Sequence, residues 1–358
     1  MYSRICIKNF RGIESLDADK LRPINLIMGR NNSGKTTFLE ALLLLGGATN
    51  PQFATTLGLL RGQRLVGGYP DPVWRPLFHN LNPGTPVEIR GYWSEQRRER
   101  ELQIFGQEAS AYADSPGSSP AGEEGVAATA QDLVIGGLQL RSKDAAGNPI
   151  SANATFNPGS GNIEIRGVFR PDVVGTRLLS ARATPTPAHD AQHFSSLLKK
   201  KQDRDVIEAL RIIEPSVQRI EVLSESSGPS IYLDIGLDAL VPLAVCGEGM
   251  VRLFSIILEL IASRGGVLLV DEIENGLHYT VMPDLWKLLS GLVDRHEVQV
   301  FATTHNDDII RSALELFAGR EGVFGLFRID KRGDRHVMVG YSEEAMEGVR
   351  EVHFEVRG

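Results

Sequence analysis

The rhythm of apolar and polar positions changes several times along the 358 residues. Ser3–Phe10 (SRICIKNF) alternates with period two, the pattern of a strand with one face in water. Ile24–Met28 (INLIM) is a short apolar run ending at a glycine, which suits a strand buried on both faces. The segment KTTFLEALLLLGG that follows is apolar nearly all round, so it predicts a buried helix. Two more buried-strand runs lie far downstream, VLLV at 267–270 and VQVFAT at 298–303, with the amphipathic helical pattern MPDLWKLLSGLVDRH between them. A glycine-rich turn at Gly247–Gly249 feeds a further helix over Met250–Ala262. Strands alternating with helices predict an α/β domain with a mixed sheet, its core largely parallel and flanked by helices.

The middle of the chain differs. Residues 107–130 (QEASAYADSPGSSPAGEEGVAATA) are rich in Ala, Gly, Ser and Pro and have little to bury, which predicts a flexible loop or hairpin tip. From about Ser195 to Ile220 the pattern SLLKKKQDRDVIEALRIIEPSVQRI predicts helix. The expected organisation is a core built from residues 1–94 and 231–358, with an inserted mixed α/β lobe at 95–230. There is no internal repeat and no heptad pattern long enough for a coiled coil.

Composition adds limits. Hydrophobic content of 42% and charged content of 23% are ordinary for a globular protein, and the net charge of −7 gives no global attraction to nucleic acid or anionic membranes. The two cysteines, Cys6 and Cys246, make neither a disulfide framework nor a zinc site and fit a reducing compartment. The N-terminus lacks the apolar core of a signal peptide, and the greasiest stretches, ALLLLGGA and LFSIILELIA, are short of a membrane span. The expectation is a soluble cytoplasmic protein with no membrane partner.

The candidate chemistry lies between the first buried strand and the buried helix. GRNNSGKTT, Gly29–Thr37, matches G-x-x-x-x-G-K-[ST] in the required strand–loop–helix setting. Gly29 and Gly34 let the backbone curl, so that the N–H groups of the loop through Arg30, Asn31, Asn32 and Ser33 face phosphates. Lys35 places a point charge on the terminal phosphates, Thr36 offers a hydroxyl to Mg²⁺, and the helix N-terminus running into Thr37 adds partial positive charge. The expected ligand is ATP with Mg²⁺. Asp271 and Glu272 end the apolar run VLLV, where unpaired carboxylates are costly to bury. Asp271 is expected to hold the metal and Glu272 to act as general base towards water; the bland alternative is an acidic surface turn. His305, at the end of the next strand, reads as a γ-phosphate sensor or as a structural histidine.

With these motifs in this order, the chain resembles the ABC class of ATPases, in the SMC, RecF and overcoming-lysogenization-defect branch, as a compact AAA-family member. The likeness rests on IKNFRGIESL, GRNNSGKTTFLEALLLL, VPLAVCGEGMVRLFSIILELI, GGVLLVDEIENGLHY and VQVFATTHNDD. It implies a P-loop NTPase fold of the ABC type and Mg-dependent hydrolysis of ATP to ADP and phosphate, which the charge of Glu248 would make slow without a partner. It also implies that Gly247, Glu248 and Gly249, standing at the signature motif, cap the nucleotide of a second subunit head-to-tail. Here the chain departs from LSGGQ: a serine is replaced by Gly247 and a glycine by Glu248, whose carboxylate would salt-bridge Arg252 at i, i+4 spacing or point away. Arg11 matches an arginine of this branch that approaches nucleotide, and His278 falls where a dimer-crossing loop is expected; each also has a structural reading. Lys199, Lys200 and Lys201 would meet DNA or form a solvated face. The implied role is a switch that signals to a separate effector in a bacterial defence or toxin-like system; the alternative is a RecF-like DNA-repair ATPase, which leaves nucleic acid open as a partner.

Overall fold

The computed structural model describes residues 1–64, 70–93, 98–109, 134–144, 146–157, 159–168, 175–181, 187–212, 214–226, 228–332 and 335–351. Three sheets organise them. The first is antiparallel with seven strands: β1 (Tyr2–Phe10), β2 (Ile13–Ala18), β4 (Val87–Trp93), β5 (Glu99–Glu108), β6 (Ile135–Lys143), β7 (Pro149–Asn157) and β8 (Asn162–Gly167), in the order β2-β1-β4-β5-β6-β7-β8. The second has the order β16-β15-β3-β14-β13-β9 and contains β3 (Ile24–Met28), β9 (Thr176–Leu179), β13 (Val267–Val270), β14 (Gln299–Thr303), β15 (Phe324–Arg332) and β16 (Arg335–Gly340). Every neighbouring pair in it is parallel except the edge pair β15–β16. A small antiparallel sheet joins β10 (Arg219–Glu225), β11 (Gly228–Asp234) and β12 (Val241–Pro242). The helices are α1 (Lys35–Gly47), α2 (Pro51–Leu60), α3 (Asp71–Trp74), α4 (Pro187–Lys199), α5 (Asp203–Leu210), α6 (Glu248–Ala262), α7 (Met282–His296), α8 (Asp307–Phe317) and α9 (Glu343–Glu351).

The three strands expected to be buried, β3, β13 and β14, are buried at every position. Successive side chains of a strand point to opposite faces, so each of these strands feeds two cores. Leu26, Met28, Leu268, Val270, Val300 and Ala302 enter the core packed beneath α4–α8. Ile27, Val267, Leu269 and Phe301 enter the other, shared with α1 and the antiparallel sheet. Helix α1, sandwiched between the two sheets, can therefore be apolar all round. Gln299, fully buried in β14, ties the layers together: its Oε1 accepts the Tyr2 N–H at 2.7 Å and its Nε2 donates to Tyr2 O at 2.8 Å.

Residues 95–230, expected as one inserted lobe, are distributed over all three sheets. Strands β5–β8 extend the sheet begun by β1 and β2, β9 is an edge of the parallel sheet, and β10 opens the third. The loop expected at 107–130 lies outside the described residues from 110 onward, and Gln107 and Glu108 end β5. The helix expected over 195–220 is corrected. Helix α4 begins earlier, at Pro187, and stops at Lys199; Lys201 turns left-handed at φ 57°, α5 ends at Leu210, and Arg219 and Ile220 are already in β10. Pro215 cannot continue a helical ladder, and Ile220 pairs with Leu233 across β10–β11. Among the described residues no helix is long and apolar enough to cross a membrane.

Candidate functional site

β3 delivers the chain into a loop whose glycines are enforced by close packing. A Cβ on Gly29, at φ 151°, would stand 2.6 Å from Ile329 O of β15 and 2.7 Å from Ser33 Oγ. Gly34 caps α1 at φ 100°, and a Cβ there would sit 3.1 Å from the His336 ring of β16. Lys35 Nζ donates to Gly29 O at 2.6 Å and to Arg30 O at 3.0 Å, which holds the ammonium at the centre of the loop. Burial lowers the Lys35 pKa, opposed by the charges of Asp271, Glu272 and Glu274.

Strand order then assembles the acidic side. β14 lies between β3 and β13, so Asp271 at the tip of β13 comes to the loop although 235 residues separate it from Thr36. Thr36 Oγ1 donates towards both Asp271 oxygens, each at 3.1 Å. Thr303, fully buried at the end of β14, donates to Asp271 Oδ1 at 2.7 Å and accepts the Glu272 N–H at 2.8 Å. Glu272 is held left-handed at φ 47°, a conformation that costs about 1–3 kcal/mol and is characteristic of functional sites. Its Oε2 accepts from Asn275 Nδ2 at 2.9 Å. A cavity of about 350 Å³ opens here, lined by Asn31–Thr37, Asp271 and Glu272 and by Glu40, Arg61 and Ser180. It is large enough for a nucleotide's phosphates and falls in the size range of ligand sites.

Other expected residues stand differently. Arg11 does not line the cavity; its Nε is 3.0 Å from Glu40 Oε2, and burial lowers its pKa to about 10. Glu40 also takes a two-pronged pair from Arg61, at 2.8 Å on each oxygen, and Arg61 Nη2 reaches Thr37 Oγ1 at 3.4 Å. Glu40, one carboxylate in an apolar helix, was a sequence signal left unread; Arg61 had none. His305 is also absent from the cavity lining. Its ring Nδ1 is 3.1 Å from Glu274 Oε1, the oxygen that accepts from Thr304 Oγ1 at 2.9 Å. Glu274, Thr303 and Arg252 are further residues that sequence reasoning missed, although DEIE shows a second acidic position.

Arg252 does not pair with Glu248. It turns inward, where Nη2 donates to Asp271 O at 2.9 Å, and burial lowers its pKa against the attraction of Asp271, Glu272 and Glu274. Gly247 begins α6 at φ 95°, and a Cβ on Gly249 would meet Gly276 O at 2.9 Å. The signature segment thus packs on the turn after the carboxylates, and Gly247, Glu248 and Gly249 do not line the cavity. His278 bonds Thr280 Oγ1 at 2.9 Å and rests on the Tyr279 ring. Lys199, Lys200 and Lys201 are exposed at the end of α4.

Comparison with known proteins agrees with this geometry. A family model described as "AAA domain, putative AbiEii toxin, Type IV TA system" matches residues 148–311, and one described as "AAA ATPase domain" matches residues 1–59. An ATP/GTP phosphatase of Helicobacter pylori is 21% identical over 87% of this chain and 86% of its own length. The DNA replication and repair protein RecF of Actinobacillus pleuropneumoniae is 50% identical over 44 residues, 12% of each chain. Among solved structures, an Smc head bound to the C-winged helix domain of ScpA superposes with a TM-score of 0.54 at 14% identity, covering 97% of this chain and 99% of that one. These matches and the SMC-head fold support an ABC-class ATPase of the SMC, RecF and overcoming-lysogenization-defect-like kind, with AAA-family domains matched at residues 1–59 and 148–311.

Proposed function

We propose that the chain is a Mg-dependent ATPase switch that closes head-to-tail with a second copy on ATP and reopens on hydrolysis. Its output is a conformational signal to a separate effector in a bacterial defence or toxin-like system. The Thr36 hydroxyl and the Asp271 carboxylate offer oxygen donors at one place, which fits a hard ion such as Mg²⁺. Bound there, Mg²⁺ neutralises charge on the phosphate oxygens. Lys35 supplies the fixed countercharge, and Glu272 accepts the proton of the attacking water. Thr303 holds both carboxylate residues in register, while Arg252 couples their backbone to α6.

The observation that carries the pairing is the contact of Gly249 with Gly276 outside the cavity. It presents a glycine-lined helix N-terminus beside a loop, with exposed Val245 and Tyr279 flanking them, as a face suited to another subunit's nucleotide. The family description naming a toxin system favours the defence reading. The RecF match favours a second reading, a DNA-engaging repair ATPase.

Glu272→Gln keeps the carboxylate's shape without its basicity. Turnover should fall about 10²- to 10⁴-fold with ATP still bound. Light scattering of this variant with Mg·ATP should show a larger species than without nucleotide, or a more compact one if the chain already pairs. Adding Val245→Arg, at an exposed flank of that face, should abolish that change while calorimetry still records ATP binding. An unchanged particle in saturating Mg·ATP rejects the pairing. Duplex DNA that accelerates turnover in the wild type selects the repair reading.

A further inference from the structure

Helix α4 carries His189 and His193 at i, i+4 spacing, hence on one face. Helix α6 presents Glu259 opposite them, and one donor atom from each of the three lies within 4.8 Å of the others. Nδ1 of His193 stands 2.8 Å from Oε1 of Glu259, and the two imidazoles are 4.0 Å apart between centroids. Yet His193 Nδ1 and Glu259 Oε1 are buried and make no hydrogen bond of proper angle.

We propose that His189, His193 and Glu259 form a binding site for one divalent transition-metal ion of the zinc class. Two imidazoles and a carboxylate are a zinc ligand set that leaves a fourth position for water, and imidazole nitrogen selects such ions over Mg²⁺. With metal–ligand bonds of about 2.0–2.2 Å, tetrahedral ligands lie about 3.3 Å apart. The His193–Glu259 pair therefore opens by about half an ångström and the half-exposed His189 closes in, changes within the reach of side-chain torsions. The surroundings fit. Glu259 Oε2 is 3.1 Å from Arg177 Nη1 on β9, which fixes the carboxylate and leaves Oε1 to the site. Buried Asp190 lies 3.5 Å from His189 Nδ1 and accepts from Ser255 Oγ of α6 at 2.8 Å, a carboxylate placed to orient a ligating imidazole.

Occupancy would clamp α4 to α6, the helix that starts at Gly247–Gly249 and holds Asp271 O through Arg252. Zinc would therefore bear on the ATPase centre without touching nucleotide. Cysteine counting missed this because the ligands are histidines and a glutamate from two distant segments.

The test is titration of the chelator-treated full chain with Zn²⁺ by calorimetry, in excess Mg²⁺ so that the Thr36–Asp271 donors are engaged. One Zn²⁺ per chain at micromolar concentration or tighter is expected, with Co²⁺ giving the visible spectrum of a tetrahedral site. His193→Ala and Glu259→Gln should each weaken binding at least about a hundredfold. Should either fail to fold, His189→Ala at the open edge decides on the same scale. Failure of the wild type to take up Zn²⁺ at micromolar concentration overturns the proposal, as does wild-type affinity in folded His189→Ala.

Discussion

Replacing Thr303 by valine keeps the shape and β-branching of a buried strand residue but removes one hydroxyl. That hydroxyl makes a 2.7 Å bond to the Asp271 carboxylate and receives the Glu272 N–H at 2.8 Å. A hydrogen bond to a charged group contributes about 1.5–3 kcal/mol, and a buried N–H left without a partner costs about 1–3 kcal/mol. A loss of about 3 kcal/mol follows, which should lower the melting temperature by about 4 °C in a chain of this size. If about 2 kcal/mol of it positions Asp271 and Glu272 for the reaction, turnover falls about 30-fold. Nucleotide affinity should change by less than about threefold, because the Lys35 bonds to Gly29 O and Arg30 O are untouched. Phosphate release, scanning calorimetry and nucleotide titration on Thr303→Val and Thr303→Ser measure the three quantities, and the serine variant should retain most of each. A valine variant that melts and turns over like the wild type would refute the role given to this hydroxyl.

Lys35→Ala should abolish or greatly weaken ATP binding, since the phosphates lose their fixed cation; near-normal affinity by calorimetry in a folded variant would show that Gly29–Thr37 is not the working loop. Acid should destabilise the fold through two histidines, His296 and His336, whose pKa values burial lowers from 6.5. Below about pH 6.5 the unfolded chain takes up protons that the folded one refuses, so stability present above that pH is lost as pH falls towards the folded values. Melting temperature should therefore drop between about pH 7.5 and 5.5, and His336→Gln should shrink the drop; an identical slope in that variant would place the titration elsewhere.

The candidate site was legible where chemistry is local. Gly29–Thr37 needs particular residue types at fixed spacing, and INLIM, VLLV and VQVFAT are apolar throughout because parallel strands are covered on both faces. Asp271 and Glu272 could be read because carboxylates ending such a strand conflict with burial unless they meet a cation or a reacting water. The antiparallel strands from β4 to β8 escaped, since half-buried alternating segments acquire their identity only from the partners beside them. Pro215 and the β10–β11 register similarly cut short a pattern that looked helical. Tertiary structure alone decided that Thr303 bridges Asp271 and Glu272, that Arg252 turns to β13 instead of Glu248, that His305 pairs with Glu274, and that Arg11 faces Glu40. Each of these depends on which strand lies beside which. That order is set by packing two cores against one sheet, a property of the whole chain that no short window of sequence contains.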